Sequence, residues 1–322
     1  MNYQNTPAAP RRRTDPELVS RAAPLSDAEE KRLEDEAEEE REETAIEDAS
    51  KLAPKLLFEV IRRDGEEELT RPLRSLVYSG IAAGIMISMS VLGEAVFRTH
   101  LPPDASWSYL IENLGYSLGF LVVIIGRMQL FTENTITTVL PVISNPCRRM
   151  FFAMGRLWGI VLAANVVGCF LIAALYAYTP ALPDDFRPAF DSLSAHATGF
   201  APWDAFFRAI PAGVLVAALV WMLPQRDAGR FAMIVVFTWL IAAGDFTHVV
   251  AGSVEWAWMV WTGQLGFVAG FVDFFLPVLA GNIVGGTVIF ALLAFGQVRD
   301  ELHRRAIDGS RIKPDKRAEE GC

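Results

Sequence analysis

Apolar residues gather into six long runs along the chain, at about 73–97, 107–143, 150–178, 203–223, 231–261 and 267–295. A straight helix crosses the hydrocarbon of a bilayer with about 20 residues. Runs two and five are longer than that and carry polar residues at their centres. Leu130-Phe131-Thr132-Glu133-Asn134-Thr135 interrupts the second, and Gly244-Asp245-Phe246-Thr247-His248 interrupts the fifth. Polar groups at mid-membrane are costly and have a task, so the pattern predicts two helices that break inside the membrane. Ahead of the runs, residues 51–72 place Leu52, Leu56, Leu57, Val60 and Ile61 at helical spacing opposite Lys51, Lys55, Glu59 and Arg62. That spacing predicts an amphipathic helix on the membrane surface or under the bundle. The expected organisation is a solvated acidic tail (1–50), this helix (51–72), an all-α membrane domain of six spans (73–298) and a C-terminal tail (299–322).

Composition agrees, with 52% hydrophobic residues. The net charge of −9 is local: residues 1–50 hold 15 Asp/Glu and 7 Lys/Arg, which accounts for all but one of those charges. The acidity therefore says little about a substrate, although the tail is a place for a cytosolic partner. No basic, aromatic-studded surface points to nucleic acid. Cys147, Cys169 and Cys322 are widely spaced, and no His/Cys/carboxylate cluster suggests a metal; nothing suggests another cofactor. No nucleophile–base pair or phosphate loop is evident, so the sequence does not read as an enzyme. Lys and Arg crowd alternate connections. Lys51, Lys55, Arg62, Arg63, Arg71 and Arg74 precede the first span, Arg148 and Arg149 follow the second, Arg226 and Arg230 the fourth, and Arg299, Arg304 and Arg305 the sixth. By the positive-inside rule both termini face the cytoplasm of a multi-pass plasma-membrane protein.

The halves echo one another. Phe131-Thr132 recurs as Phe246-Thr247 after 115 residues, and Asn165-Val166-Val167-Gly168 recurs as Asn282-Ile283-Val284-Gly285 after 117. With three spans per half, the second copy is inverted, and inverted repeats with discontinuous helices place a site at mid-depth between the halves. Where each broken helix restarts, unpaired N–H groups and the positive end of the dipole face the centre. Thr132 and Thr247 are expected to cap those ends and offer hydroxyls to an oxyanion. His248 is expected to donate a hydrogen bond or a proton, imidazole being the side chain that titrates nearest neutral pH. Asn165 and Asn282 read as braces of helix contacts or loops. Asp245 reads as a loop brace beside His248, and Glu133 as a carboxylate favoured in a first helical turn. Arg208 either snorkels to the surface or attracts anions. Glu94, Glu112, Glu255 and Asp273 are expected at interfaces or subunit-facing positions, and Trp107, Trp203, Trp256, Trp258 and Trp261 in an interfacial belt.

Leu130-Phe131-Thr132, Asn165-Val166-Val167-Gly168, Phe246-Thr247-His248 and Gly281-Asn282-Ile283-Val284-Gly285-Gly286 together resemble the formate/nitrite transporter family over roughly residues 70–298. Arg62-Arg63-Asp64-Gly65-Glu66-Glu67-Glu68-Leu69 and Ser79-Gly80-Ile81-Ala82-Ala83-Gly84 are similar to a branch with a cytoplasmic N-terminal extension. The resemblance implies an aquaporin-like protomer in a homopentamer in the bacterial inner membrane, each protomer with its own pore for small monovalent anions of weak acids. It implies that His248 is the pore histidine and Thr132 the threonine of the first break. It also implies that Leu130 and Phe131 form one constriction, with Phe120 and Ile241 at the other. Thr247 stands where the family commonly has Glu, Val249 where it has Ser or Cys, and Gly252 where it has Asn; Ile241 replaces a bulky Phe. Two other functions stay open at this stage: a pore for neutral or larger solutes, and a membrane scaffold whose acidic tail binds a partner.

Overall fold

The computed structural model describes residues 53–225 and 229–307. The expected tail at 1–50 lies outside the described residues, as do Arg226 and residues 308–322 of the expected C-terminal tail. Among the described residues every regular element is helical. The helices are α1 (Pro54–Thr70), α2 (Leu73–His100), α3 (Ser108–Ile125), α4 (Phe131–Thr137), α5 (Val139–Ser144), α6 (Arg148–Tyr178), α7 (Arg187–Thr198), α8 (Pro202–Met222), α9 (Arg230–Ala243), α10 (Val249–Trp261) and α11 (Phe267–Arg299). Five of these, α2, α3, α6, α8 and α11, are long and apolar enough to cross a membrane, and α9 is a shorter apolar helix.

Glycine sets how the long helices cross. A Cβ on Gly84 of α2 would overlap the Asn165 carbonyl oxygen of α6, and one on Gly168 would overlap Ile81. The same arrangement recurs between α8 and α11, where Gly213 meets Asn282 and Gly285 meets Ile210. Backbones this close gain van der Waals contact that larger side chains would prevent. These two crossings hold the asparagines at the centre of the fold.

Helix α1 begins with Pro54, whose missing N–H is harmless at a first helical position. It buries Leu57, Phe58, Ile61, Gly65 and Leu69, whereas Leu56, expected on the apolar face, is 48% exposed. At Gly65 it lies against the Thr137 carbonyl of α4, so a side chain there would push the two apart. The opposite face carries Glu59 paired with Arg62 and Arg63. Hydrogen bonds and charge from these arginines hold the Glu59 carboxyl below its usual range.

Candidate functional site

Both breaks are made by one backbone device. Helices α3 and α9 end at Gly126 and Gly244, and the next residue takes a positive φ: 50° at Arg127 and 57° at Asp245. This left-handed conformation is the usual end of a Schellman motif. Its hydrogen bonds are present in both copies, from Met128 N–H to Val123 O (3.0 Å) and from Phe246 N–H to Ile241 O (2.9 Å). The chain then runs extended to Leu130 and His248, the N-caps of α4 and α10.

One buried asparagine ties down each restart. Asn165 Oδ1 accepts from Phe131 N–H (2.9 Å), and its Nδ2 donates to Gln129 O and Gly80 O, both at 2.8 Å. Asn282 Oδ1 accepts from Val249 N–H (2.8 Å), and its Nδ2 donates to Thr247 O (3.1 Å) and Ala209 O (2.8 Å). Matching the braces pairs Phe131 with Val249 and Leu130 with His248, 118 residues apart. The two Phe-Thr dipeptides, 115 residues apart, are therefore out of structural register by three positions. The positive-φ residue and the asparagine set the equivalence, and a dipeptide match does not report either.

His248 joins the two breaks. Its Nδ1 accepts from Ala251 N–H (3.2 Å), capping α10. In that arrangement the ring proton sits on Nε2, which donates to Thr132 Oγ1 at 2.8 Å. Phe120 meets the ring edge-to-face with centroids 5.1 Å apart. Thr132 thus spends its hydroxyl on His248, and α4 has no side-chain cap. The Thr247 hydroxyl donates to Ala205 O (2.9 Å), which fastens the second break to α8.

Two cavities approach this junction and share no lining residue. One, of about 240 Å³, reaches His248 and Thr247 and has walls that include Glu94, Tyr116, Glu255 and Phe274. The other, of about 550 Å³, ends at Leu130 and is bounded by Gln129, Glu133 and the Asp64–Glu68 side of α1. Leu130, Phe131 and Phe120 are buried, the latter two against Trp158 and His248 respectively. Ile241 is wholly buried and lines neither cavity; its carbonyl closes the turn at Phe246.

Asp245 is a brace held by two side chains. Its Oδ1 meets His196 Nε2 at 2.8 Å and its Oδ2 meets Arg208 Nη1 at 2.8 Å, while Arg208 also donates to the Asp245 carbonyl (3.1 Å) and stacks on Phe200. Arg208 therefore presents a paired charge, not a free one. Glu133 faces the larger cavity, and its buried Oε1 has no hydrogen-bond partner among the described residues. Across that cavity Gln129 Nε2 donates to Glu68 Oε2 (2.8 Å), which links α1 to the first break. Burial pushes the Glu68 carboxyl above its usual range despite the adjacent Arg71.

Three glutamates and two tryptophans lie elsewhere than the sequence implies. Glu94, Glu112 and Glu255, expected at interfaces, are buried at 5%, 8% and 9% exposure and line the smaller cavity. Asp273 is exposed. Trp256 and Trp258, expected in the outer belt, are 1% exposed, while Trp107, Trp203 and Trp261 are exposed. A signal was present: Ser90 and Glu94 stand four apart in an apolar helix, so both belong to its buried face. Helix α7, which contributes Ser192 and His196 to the smaller cavity, falls in a connection where the sequence carried no such expectation.

Residues 55–296 match the family model described as Formate/nitrite transporter. The chain is 41% identical over 260 residues to Inner membrane protein YfdC of Escherichia coli (strain K12), covering 81% of this chain and 84% of that one. It is 28% identical over 245 residues to Formate channel FocA of Haemophilus influenzae, covering 68% and 84%. Its fold matches a solved pentameric formate channel with formate bound at a TM-score of 0.59 and 21% identity, covering 70% of this chain and 96% of that chain.

Proposed function

The chain belongs to the formate/nitrite transporter family, and we propose that it passes small monovalent anions of weak acids across the bacterial inner membrane. In this reading the protomer has six spans. Helices α3–α5 make up the broken second span and α9–α10 the broken fifth; the halves form an inverted repeat, and five protomers assemble with one pore in each. Both termini are cytoplasmic, which puts the Glu68 cavity on the inside and the His248 cavity on the outside.

The observation that carries the reading is the His248 Nε2–Thr132 Oγ1 bond between the two cavities. An anion leaving water loses solvation that only opposite charge or hydrogen bonds replace. When that bond opens, the Nε2–H group becomes available to an anion, beside the hydroxyl of Thr132, which only accepts in the bond and can donate in its own right. Nearby, the N-terminal ends of α4 and α10 contribute positive potential. Leu130, Phe131 and Phe120 are the barrier that exclude water until the donors engage. Asn165, Asn282, Thr247 and Asp245 hold the donors in place, and Ile241 supports the turn from behind.

The test is flux into proteoliposomes of formate, acetate, lactate, nitrite and hydrosulfide at two pH values. His248→Phe should lower flux at least tenfold with the oligomer intact; equal flux in the two proteins sinks the role of His248. A second reading, a pore for neutral solutes, is favoured by the carboxyl groups of Glu94 and Glu255 in the approach to His248. Flux of a neutral solute without any anion flux would decide for it.

A further inference from the structure

Acidic side chains outnumber basic ones in the lining of the His248 cavity, and two of them have no direct partner. Four acidic residues line it: Glu94 from α2, Glu112 from α3, Asp245 from the second break and Glu255 from α10. Glu112 is answered by Arg98 at 2.6 Å, and Asp245 by Arg208 and His196. Glu94 and Glu255 remain, at 5% and 9% exposure; among the described residues neither carboxyl group has a direct ion pair or hydrogen bond, and Arg98 acts on both only through space. Each lies within electrostatic range of the other. A buried carboxyl group without a hydrogen-bond partner is uncommon in a folded protein, and a bound ligand is one way to satisfy it.

The surrounding wall narrows the class of ligand. Tyr109, Tyr116, Phe200, Phe246 and Phe274 line the same space. Among the described residues no group of three or more His, Cys, Asp or Glu is placed to hold a metal ion. Two acceptors and several ring faces suit a cation with a few N–H donors and some apolar surface: the N–H groups reach the carboxylates, and the alkyl part and charge lie against the rings. A volume of about 240 Å³ takes a molecule of a few heavy atoms.

We propose that this cavity is a binding site for a small primary ammonium ion, held between Glu94 and Glu255 against Tyr116, Phe246 and Phe274. The site does not rest on the anion reading. In an anion pore, a docked ammonium ion would cancel the charge that an anion meets on its way to His248.

The experiment is calorimetric titration of the full-length protein in detergent micelles at pH 7 with methylammonium chloride. Potassium chloride and sodium formate serve as parallel titrants. Saturable binding of methylammonium, one per protomer, with at least tenfold weaker binding of potassium, is expected. Glu94→Gln and Glu255→Gln should each weaken methylammonium binding tenfold or more and leave the response to formate measurable. Glu94→Asp and Glu255→Asp keep the charge and should retain binding, which separates loss of the site from loss of the fold. Absence of saturable binding in the wild type, equal affinity for potassium, or full binding in both glutamine variants overturns the proposal. Failure of formate to bind or permeate while methylammonium binds counts against the anion reading alone.

Discussion

At the scale of single residues, the junction depends on partners that are buried and cannot be replaced by water. Thr132→Val keeps the shape and removes the oxygen that receives the His248 Nε2 proton. A buried donor left unpaired costs about 1–3 kcal/mol, so the melting temperature should fall, and Thr132→Ser should restore most of it. An unchanged melting temperature in Thr132→Val would mean that the histidine has another acceptor. The asparagines allow a sharper comparison. Asn165→Asp and Asn282→Asp preserve the acceptor for Phe131 or Val249 but replace an amide that donates to two carbonyls with a group that repels them. Each should destabilise the protein more than the corresponding Ala variant, read by thermal unfolding. The sequence made His248, Thr132 and both asparagines legible because polar residues stand out in apolar runs. It did not make their bonds legible. Thr247 looks as available as Thr132, yet its hydroxyl is bound to Ala205, and only the path of α8 decides that.

At the scale of elements, the breaks were visible as polar interruptions, but their register was not. The repeated unit is a backbone conformation with a positive φ at Arg127 and Asp245, two residues with nothing chemically in common. Spacing likewise identified α1 as amphipathic but put Leu56 on its apolar face, whereas Phe58 and Gly65 share the buried side with Leu57, Ile61 and Leu69. Its attachment to the first break has a pH signature. Folding raises the Glu68 pKa by burial, so the folded form binds more protons than the unfolded form between the two values. Stability from this group is then greatest below its unfolded pKa and is lost as pH rises through the folded value. Glu68→Gln keeps an acceptor for Gln129 and removes the buried charge, so it should be neutral to slightly stabilising at pH 7 and abolish that part of the pH dependence. Hydrogen exchange of α1 at pH 5 and pH 8 would measure it; identical pH dependence in wild type and variant would exclude Glu68 as its source.

At the scale of the molecule, the long apolar runs specified a membrane bundle, whereas its sides look the same from sequence. A helix surrounded by protein and one surrounded by lipid are both apolar, which is why Trp256 and Trp258 read as belt residues although the fold encloses them. The exposed apolar surface now has a definite layout. Leu110, Leu114, Leu118 and Val122 recur every fourth residue along α3 at 37–47% exposure, ending in Ile125. Lipid would cover this stripe as well as a neighbouring protomer, since apolar burial alone does not drive helices together in a bilayer. The proposed pentamer needs a face whose shape excludes lipid, and a continuous ridge at helical spacing is one. Leu118→Lys places a charge at the middle of that ridge. At a subunit contact it should convert pentamers into smaller species in native mass spectrometry while each protomer keeps its helical circular dichroism. At a lipid-facing position near a water interface the charge would snorkel, and the pentamer would survive. Retention of the pentamer would move the contact to another exposed face, such as Val167, Leu171 and Leu175 of α6, without altering the His248 junction inside each protomer.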